Sequence, residues 1–268
     1  MAIVSGKSVG EEMERSFLET FLYPKDSEGL PRVPLVLCAL IIVVATIALG
    51  AYRWYMETTA FTVGLDYFEP EFEFYWMNML YAQAIILPLI GIIGLPYFWF
   101  TRPSAEEVNA MTPSDELSRY MLIFGVLSIA SFLVVCILGV WTEADAAWHQ
   151  VTVRDTDFTP THIQLFYGVI PILAIFVVLA LVWIHTRMPD YQGRVSVPLC
   201  IVAAAPLLIM PNLGYNEWGH TFFYAEELFA APVHYGFVLL GWGLFAIGGF
   251  LLECVKRVII LTSLTKEA

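Results

Sequence analysis

Six long apolar runs constrain this sequence more than any other feature. They occupy residues 33–52, 76–100, 120–141, 163–184, 197–210 and 233–259. Runs of this kind can cross about 30 Å of hydrocarbon as helices. Because lipid offers the backbone no hydrogen-bond partners, and because the runs are too long and too uniformly apolar for barrel strands, we predict an all-α integral membrane helical bundle with about six transmembrane helices.

The fifth run, 197–210, is the weakest of the six. It is short, and Pro206 lies inside it. Proline removes a backbone donor and disturbs a helix interior. Five spans with one re-entrant segment therefore remain an alternative to six.

Composition supports a membrane protein and excludes a nucleic-acid-binding one. Hydrophobic residues make up 59% of the chain and charged residues only 14%, with a formal net charge of −12. Nucleic-acid binding requires clustered Lys and Arg that neutralise phosphates, and the sequence has no such cluster. We therefore expect lipid, and not nucleic acid, to surround the chain.

The basic residues predict the orientation of the spans. Of the 13 Lys and Arg, eleven lie in the N-terminal tail, the second and fourth connections and the C-terminal end. The other connections contain only Arg53 and Arg154. Basic residues concentrate on the cytoplasmic side of a membrane. This division predicts an even number of spans with both termini cytoplasmic.

The same pattern predicts three regions. Residues 1–32 form a cytoplasmic tail, 33–259 a transmembrane helical domain, and 260–268 a cytoplasmic C-terminal tail. Within the first tail, apolar residues recur at helical spacing against acidic ones over 11–23. This pattern predicts an N-terminal amphipathic helix, lying on the membrane surface or packed against a partner subunit.

The first candidate metal site consists of Asp145, His149 and His162. Asp145 and His149 are four residues apart, which on a helix places both on one face. Thr159 is a plausible N-cap and Pro160 a plausible first helical residue, so His162 falls at the outer end of the fourth span. The sequence thus predicts two imidazoles and a carboxylate close together.

A second triplet repeats this design with Asn216, His220 and His234. Asn216 and His220 are again four residues apart, and His234 follows Pro232 at the start of the next span. Two imidazoles with one carboxylate or amide oxygen suit copper, zinc or iron, and ligand type alone does not choose among them. A single histidine at a membrane interface is more often a hydrogen-bonded anchor, but two matching triplets favour metal binding.

Other residues have simpler interpretations. The aromatic residues near the span ends favour an interfacial belt over a substrate cage. They are Trp76, Tyr97, Trp99, Tyr120, Trp141 and Trp148. Around the first triplet, Glu143, Arg154, Asp155 and Asp157 could orient the imidazoles or form a solvated, salt-bridged loop. His185, beside Arg187 at a cytoplasmic end, is interpreted as a solvated helix cap.

Three segments carry a resemblance to a known family. The run 141–149 reads Trp-Thr-Glu-Ala-Asp-Ala-Ala-Trp-His, and 154–162 reads Arg-Asp-Thr-Asp-Phe-Thr-Pro-Thr-His. The run 210–220 reads Met-Pro-Asn-Leu-Gly-Tyr-Asn-Glu-Trp-Gly-His and continues to His234, and 65–72 reads Leu-Asp-Tyr-Phe-Glu-Pro-Glu-Phe. Together these segments closely resemble the third subunit of the copper membrane monooxygenases, the family of particulate methane, ammonia and short-chain hydrocarbon monooxygenases.

The resemblance implies a function and a set of partners. It implies that Asp145, His149 and His162 bind one copper and form the catalytic site, and that Asn216, His220 and His234 form a neighbouring copper site. It also implies a bacterial cytoplasmic or intracytoplasmic membrane, two other subunits (A and B), and a trimer of heterotrimers. The complex would take electrons from a quinol and insert an oxygen atom from O₂ into a small substrate.

Two departures from the family pattern bear on the substrate. Ala144 stands where a glutamine is expected beside Asp145, and the tail up to Arg32 resembles no known member. These departures favour short-chain alkane oxidation over methane or ammonia oxidation without deciding between them.

Three functions from other classes remain open. A haem-binding protein for electron transfer could use His220 and His234, although Pro232 and the polar stretch 216–227 oppose one continuous ligand helix. An ion-coupled transporter would place ionisable groups near the membrane midplane, whereas this chain gathers them on one side. A structural anchor for a catalytic partner is the third.

Overall fold

The computed structural model of the chain describes residues 17–151, 158–208 and 230–267. Within the helices, the side chains of a few residues, among them His149 and His234, fall outside that description. The described residues are predominantly helical. Their only strand-like pairing is an isolated bridge between Lys25 and Pro31. The all-α prediction is therefore confirmed.

The helices follow one another with short connections. They are α1 (Phe17–Leu22), α2 (Leu35–Val63), α3 (Pro70–Phe100), α4 (Ala105–Asn109), α5 (Pro113–Val151), α6 (Pro160–Arg187), α7 (Val197–Leu208) and α8 (Ala230–Glu267). A single π-helical turn interrupts α3 at Glu73–Met77 and α6 at Leu165–Val169. A short 3-10 turn, Pro189–Tyr191, follows α6.

Four of these helices, α2, α3, α5 and α6, are long and apolar enough to cross a membrane. The helix α8 is 38 residues long and contains the sixth predicted span, and α7 is a shorter apolar helix that includes Pro206. The structure confirms a helical membrane bundle, while the count of six spans stays a prediction. Of the predicted amphipathic helix, 17–22 is helical, and 11–16 lies outside the described residues.

Helix packing concentrates the buried side chains at two opposite ends of the bundle. The helix α2 packs against α5, α3 against α6, and α8 against α5. One buried cluster lies near the start of α6 and includes Phe72, Trp76, Ala144, Trp148 and Ile163. The other lies near its end and includes Tyr120, Ile184, Tyr191, Phe250 and Cys254. We call these the outer cluster and the inner cluster.

Most of the apolar surface of the spans faces outward. In each of the four long helices, only 6–12% of the most apolar window is buried inside the chain. Burying apolar surface stabilises a protein only when water is excluded from it. This surface is therefore suited to lipid and to the apolar faces of partner subunits.

Polar contacts join the segments that the charge pattern assigns to one side. These contacts tie the N-terminal tail to the start of α5, the end of α6 to the end of α3, and α8 to α5. They are Lys25 Nζ to Asp115 Oδ1 at 3.0 Å, Arg187 Nη2 to Thr101 Oγ1 at 2.9 Å, and Arg257 to both carboxylate oxygens of Glu116 at 2.8 Å. All lie at the inner-cluster end.

The interpretation of the aromatic residues as an interfacial belt is wrong for four of the six. The side chains of Trp76, Tyr120, Trp141 and Trp148 are 0–1% exposed within the chain, whereas Tyr97 and Trp99 are 62% and 50% exposed. A belt residue must reach the lipid headgroups. The four buried rings instead fill helix-helix interfaces, Trp76 and Trp148 in the outer cluster and Tyr120 in the inner one.

The ion pair between Glu116 and Arg257 generates a stability prediction. Glu116 is 2% exposed, so the Arg257→Ala substitution leaves a buried carboxylate without its guanidinium. Breaking a buried pair in this way costs about 3 kcal/mol. We expect a lower melting temperature for the purified complex, measured by intrinsic fluorescence in detergent or nanodiscs.

The double substitution Glu116→Leu with Arg257→Met is the control. It removes both charges and keeps apolar volume, so the complex should melt closer to the wild type than the single variant does. A single variant that melts at the wild-type temperature would contradict the prediction.

Candidate metal centre

The start of α6 places a threonine and a histidine against a carboxylate on α5. His162 Nε2 lies 3.1 Å from Asp145 Oδ1, and the Thr161 hydroxyl donates a hydrogen bond to the same oxygen. The side chain of His162 is 6% exposed and that of Asp145 is 30% exposed. Two members of the first predicted triplet therefore meet in the structure.

Local sequence explains why α6 begins at this point. Thr159 has an extended backbone at the N-cap position, and Pro160 follows as the first helical residue, as the sequence predicts. The first helical hydrogen bond runs from the Ile163 N–H to the Thr159 carbonyl at 2.9 Å. The Thr159 side chain makes no capping bond, so proline geometry and burial fix this helix start.

His149 lies four residues after Asp145, on the next turn of the same helix. The predicted helical relation between these two residues is confirmed at the level of the backbone. The side chain of His149 lies outside the described part of the structure. Whether it joins Asp145 and His162 stays a prediction.

The second triplet lies mostly outside the described residues. Asn216 and His220 fall within 209–229, which the structure does not describe. His234 lies in α8, without a described side chain. The pairing of these three residues is untested.

Aromatic and apolar side chains enclose the buried side of the centre. Trp148, one turn after Asp145 on α5, is fully buried, and so are Trp76 and Ile163. The ring of His162 packs against Phe166 with centroids 4.8 Å apart. Because few polar atoms surround the pair, electrostatic interactions between Asp145, His162 and a bound cation are stronger there than in water.

Two buried glutamines fix the depth at which α6 contacts its neighbours. Gln164 Nε2 donates to the Tyr52 carbonyl at 3.0 Å, and Gln83 Nε2 donates to the Tyr52 hydroxyl at 3.2 Å. A Cβ added to Gly168, within the π turn of α6, would lie 3.2 Å from the Gln83 amide. Extra residues in π turns often occur beside functional sites, and here the turn allows this close contact one to two turns below His162.

Arg53 joins α2 to α5 just before Asp145. Its guanidinium donates to the Val140 carbonyl at 2.7 Å and to Glu57 at 2.6 Å. Glu143 is 3.8 Å from it and 76% exposed, which agrees with a solvated, salt-bridged side chain. Arg154, Asp155 and Asp157 lie outside the described residues.

His185 is a hydrogen-bonded helix-end residue rather than a solvated cap. Its Nε2 accepts from the Ser196 N–H at 3.0 Å, and its Nδ1 lies 2.8 Å from the Leu181 carbonyl. The second contact requires a proton on Nδ1, so these bonds together select one neutral tautomer. His185 thus links the end of α6 to the residue preceding α7.

The donor set of Asp145 and His162 fits a metal ion. Two ligands that each lie about 2.0–2.2 Å from one ion stand roughly 3 Å apart, which is the separation of Oδ1 and Nε2. Among the described side chains, no group of three or more His, Cys, Asp or Glu is close enough to share a metal. A third ligand must therefore come from a residue beyond that set, and His149 is the nearest candidate in sequence.

The fold and this pair define a helical integral membrane protein with a carboxylate–imidazole centre at one end of its bundle. Residues 28–265 match the family described as the third subunit of ammonia monooxygenase/methane monooxygenase. Because the match covers most of the chain, the protein belongs to this family and is part of a membrane monooxygenase complex. The comparison with curated protein sequences gives no match.

Close packing beside the centre generates a second prediction. A Cβ at Gly64, the C-cap of α2, would lie 2.8 Å from the Pro160 ring and 2.5 Å from the Ala60 carbonyl oxygen. The Gly64→Ala substitution must therefore displace the start of α6, at a cost of about 1–3 kcal/mol. We expect a lower melting temperature and less metal bound per complex, measured by elemental analysis.

Gly50→Ala is the matched control, since a Cβ at Gly50, within α2, meets no atom within 4 Å. That variant should keep wild-type stability and metal content. Equal behaviour of the two variants would contradict a close contact between α2 and α6.

Proposed function

We propose that this protein holds copper for an O₂-dependent monooxygenase that hydroxylates a small substrate. Asp145, His149 and His162 are assigned to the catalytic copper. Asn216, His220 and His234 are assigned to a neighbouring copper site. The observation that carries the proposal is the 3.1 Å approach of His162 Nε2 to Asp145 Oδ1, in a chain that belongs to a monooxygenase family.

The contribution of this chain is to bind, orient and keep dry. A bound copper ion would supply the redox chemistry that activates O₂. Asp145 and His162 offer one oxygen and one nitrogen donor from two different helices, so the helix packing sets their separation. The buried Trp148 and Ile163 exclude water from the inner side of the pair.

The assembly and its orientation are part of the proposal. We assign two further subunits (A and B), arranged as a trimer of heterotrimers, and a quinol as electron donor. The outward-facing apolar surface of the spans is suited to such neighbours. The grouping of basic segments at the inner-cluster end supports cytoplasmic termini and a copper centre at the opposite, non-cytoplasmic face.

The substrate class is methane, ammonia or a short-chain alkane, with a preference for short-chain alkanes. That preference depends on Ala144, which is 4% exposed in the outer cluster beside the centre. A small side chain at this position leaves more space than a glutamine. A rate comparison among the three substrates with the purified complex tests the preference.

Loss of one imidazole tests the copper assignment. We expect His162→Ala to remove one copper per protomer and to abolish hydroxylation while the complex still assembles. His185→Ala is the matched control, because His185 lies at the other end of α6 with both ring nitrogens in structural hydrogen bonds. It should retain all copper.

The measurements are elemental analysis, EPR and turnover on complexes purified in lipid. Hydroxylation that survives full loss of the His162-dependent copper would refute the catalytic assignment and leave a structural role. A Soret band in the native complex would favour haem-based electron transfer instead.

A further inference from the structure

Thr161 is a buried residue that the ligand assignment does not use. Its side chain is 1% exposed, and its hydroxyl donates to Asp145 Oδ1. It occupies the second position of α6, which Pro160 fixes as the first turn of the helix. The hydroxyl and the imidazole of His162 therefore reach the same carboxylate from adjacent residues.

The two contacts to Asp145 differ in what metal binding does to them. A metal ion between His162 Nε2 and the carboxylate replaces their hydrogen bond with two coordinate bonds. The Thr161 hydroxyl is not a ligand in this assignment, so its hydrogen bond can persist. Metal-binding carboxylates are commonly held by such outer hydrogen bonds, whose loss lowers metal affinity about 10- to 100-fold.

We propose that Thr161 is a positioning residue that orients the Asp145 carboxylate toward the copper ion. This inference rests on the proposed function of Asp145 and His162. Thr161 acts through Asp145 and touches no reacting atom. Because Asp145 is 30% exposed on its side chain, the hydroxyl is a fixed partner that keeps the carboxylate turned toward His162 and away from solvent.

The alternative role for Thr161 is a simple link between α5 and α6. A valine at this position keeps the branched shape and removes the hydroxyl. If the link were only structural, Thr161→Val would lower stability without changing how the assembled complex binds copper. If the hydroxyl orients the carboxylate, copper affinity and the copper EPR spectrum both change.

The experiment is a copper titration of purified complexes carrying Thr161→Val, Thr161→Ser or Thr161→Cys, in competition with a chelator of known affinity. We expect Thr161→Val to bind copper at this site about 10- to 100-fold more weakly, with altered EPR parameters. Thr161→Ser should restore the wild-type values. Thr161→Cys, with a weak S–H donor, should fall between them, and it replaces the valine variant should that complex not assemble.

Thr186→Val is the matched control, because the Thr186 hydroxyl donates to the Val182 carbonyl within the far end of α6. It should leave the titration unchanged. Wild-type affinity and EPR in Thr161→Val, or a failure of serine to restore them, would overturn the positioning role. The His162→Ala complex separates the two hypotheses: if it loses no copper, the proposed copper site itself is wrong, whatever the Thr161 variants do.

Discussion

A polar side chain in hydrocarbon is stable only when another polar group satisfies it, and this constraint organises the whole chain. The middle sections of the helices are apolar and face outward, while ion pairs and hydrogen bonds lie toward the ends of the bundle. At one end Arg257 pairs with Glu116. At the other, Asp145 accepts from Thr161 and approaches His162, so the chemistry of the chain and the joining of α5 to α6 use the same atoms.

Much of this arrangement could be predicted from the sequence, because it depends on local rules. The apolar runs gave the helices, and the Thr159–Pro160 pair gave the start of α6. The four-residue spacing correctly placed Asp145 and His149 on consecutive turns of one helix. The meeting of Asp145 with His162 followed because both lie at the same end of neighbouring spans.

The features that the sequence did not reveal depend on contacts between distant segments. Trp148 and Trp141 are compatible with either a lipid interface or a packed core, and only the helix packing shows that they are buried. Gln83 and Gln164 are single polar residues in apolar runs, without a periodic pattern to identify Tyr52 as their partner. The role of His185 likewise depends on Ser196, which a connection brings back to it.

The central claim is that Asp145 and His162 are ligands of one copper ion. It is tested most directly by cryo-electron microscopy of the copper-loaded complex in nanodiscs, with X-ray absorption on the same sample. The account predicts density between Asp145 and His162, about 2.0–2.2 Å from an oxygen of the first and from Nε2 of the second. An active, copper-containing complex in which these two side chains remain hydrogen-bonded, with no ion between them, would contradict it.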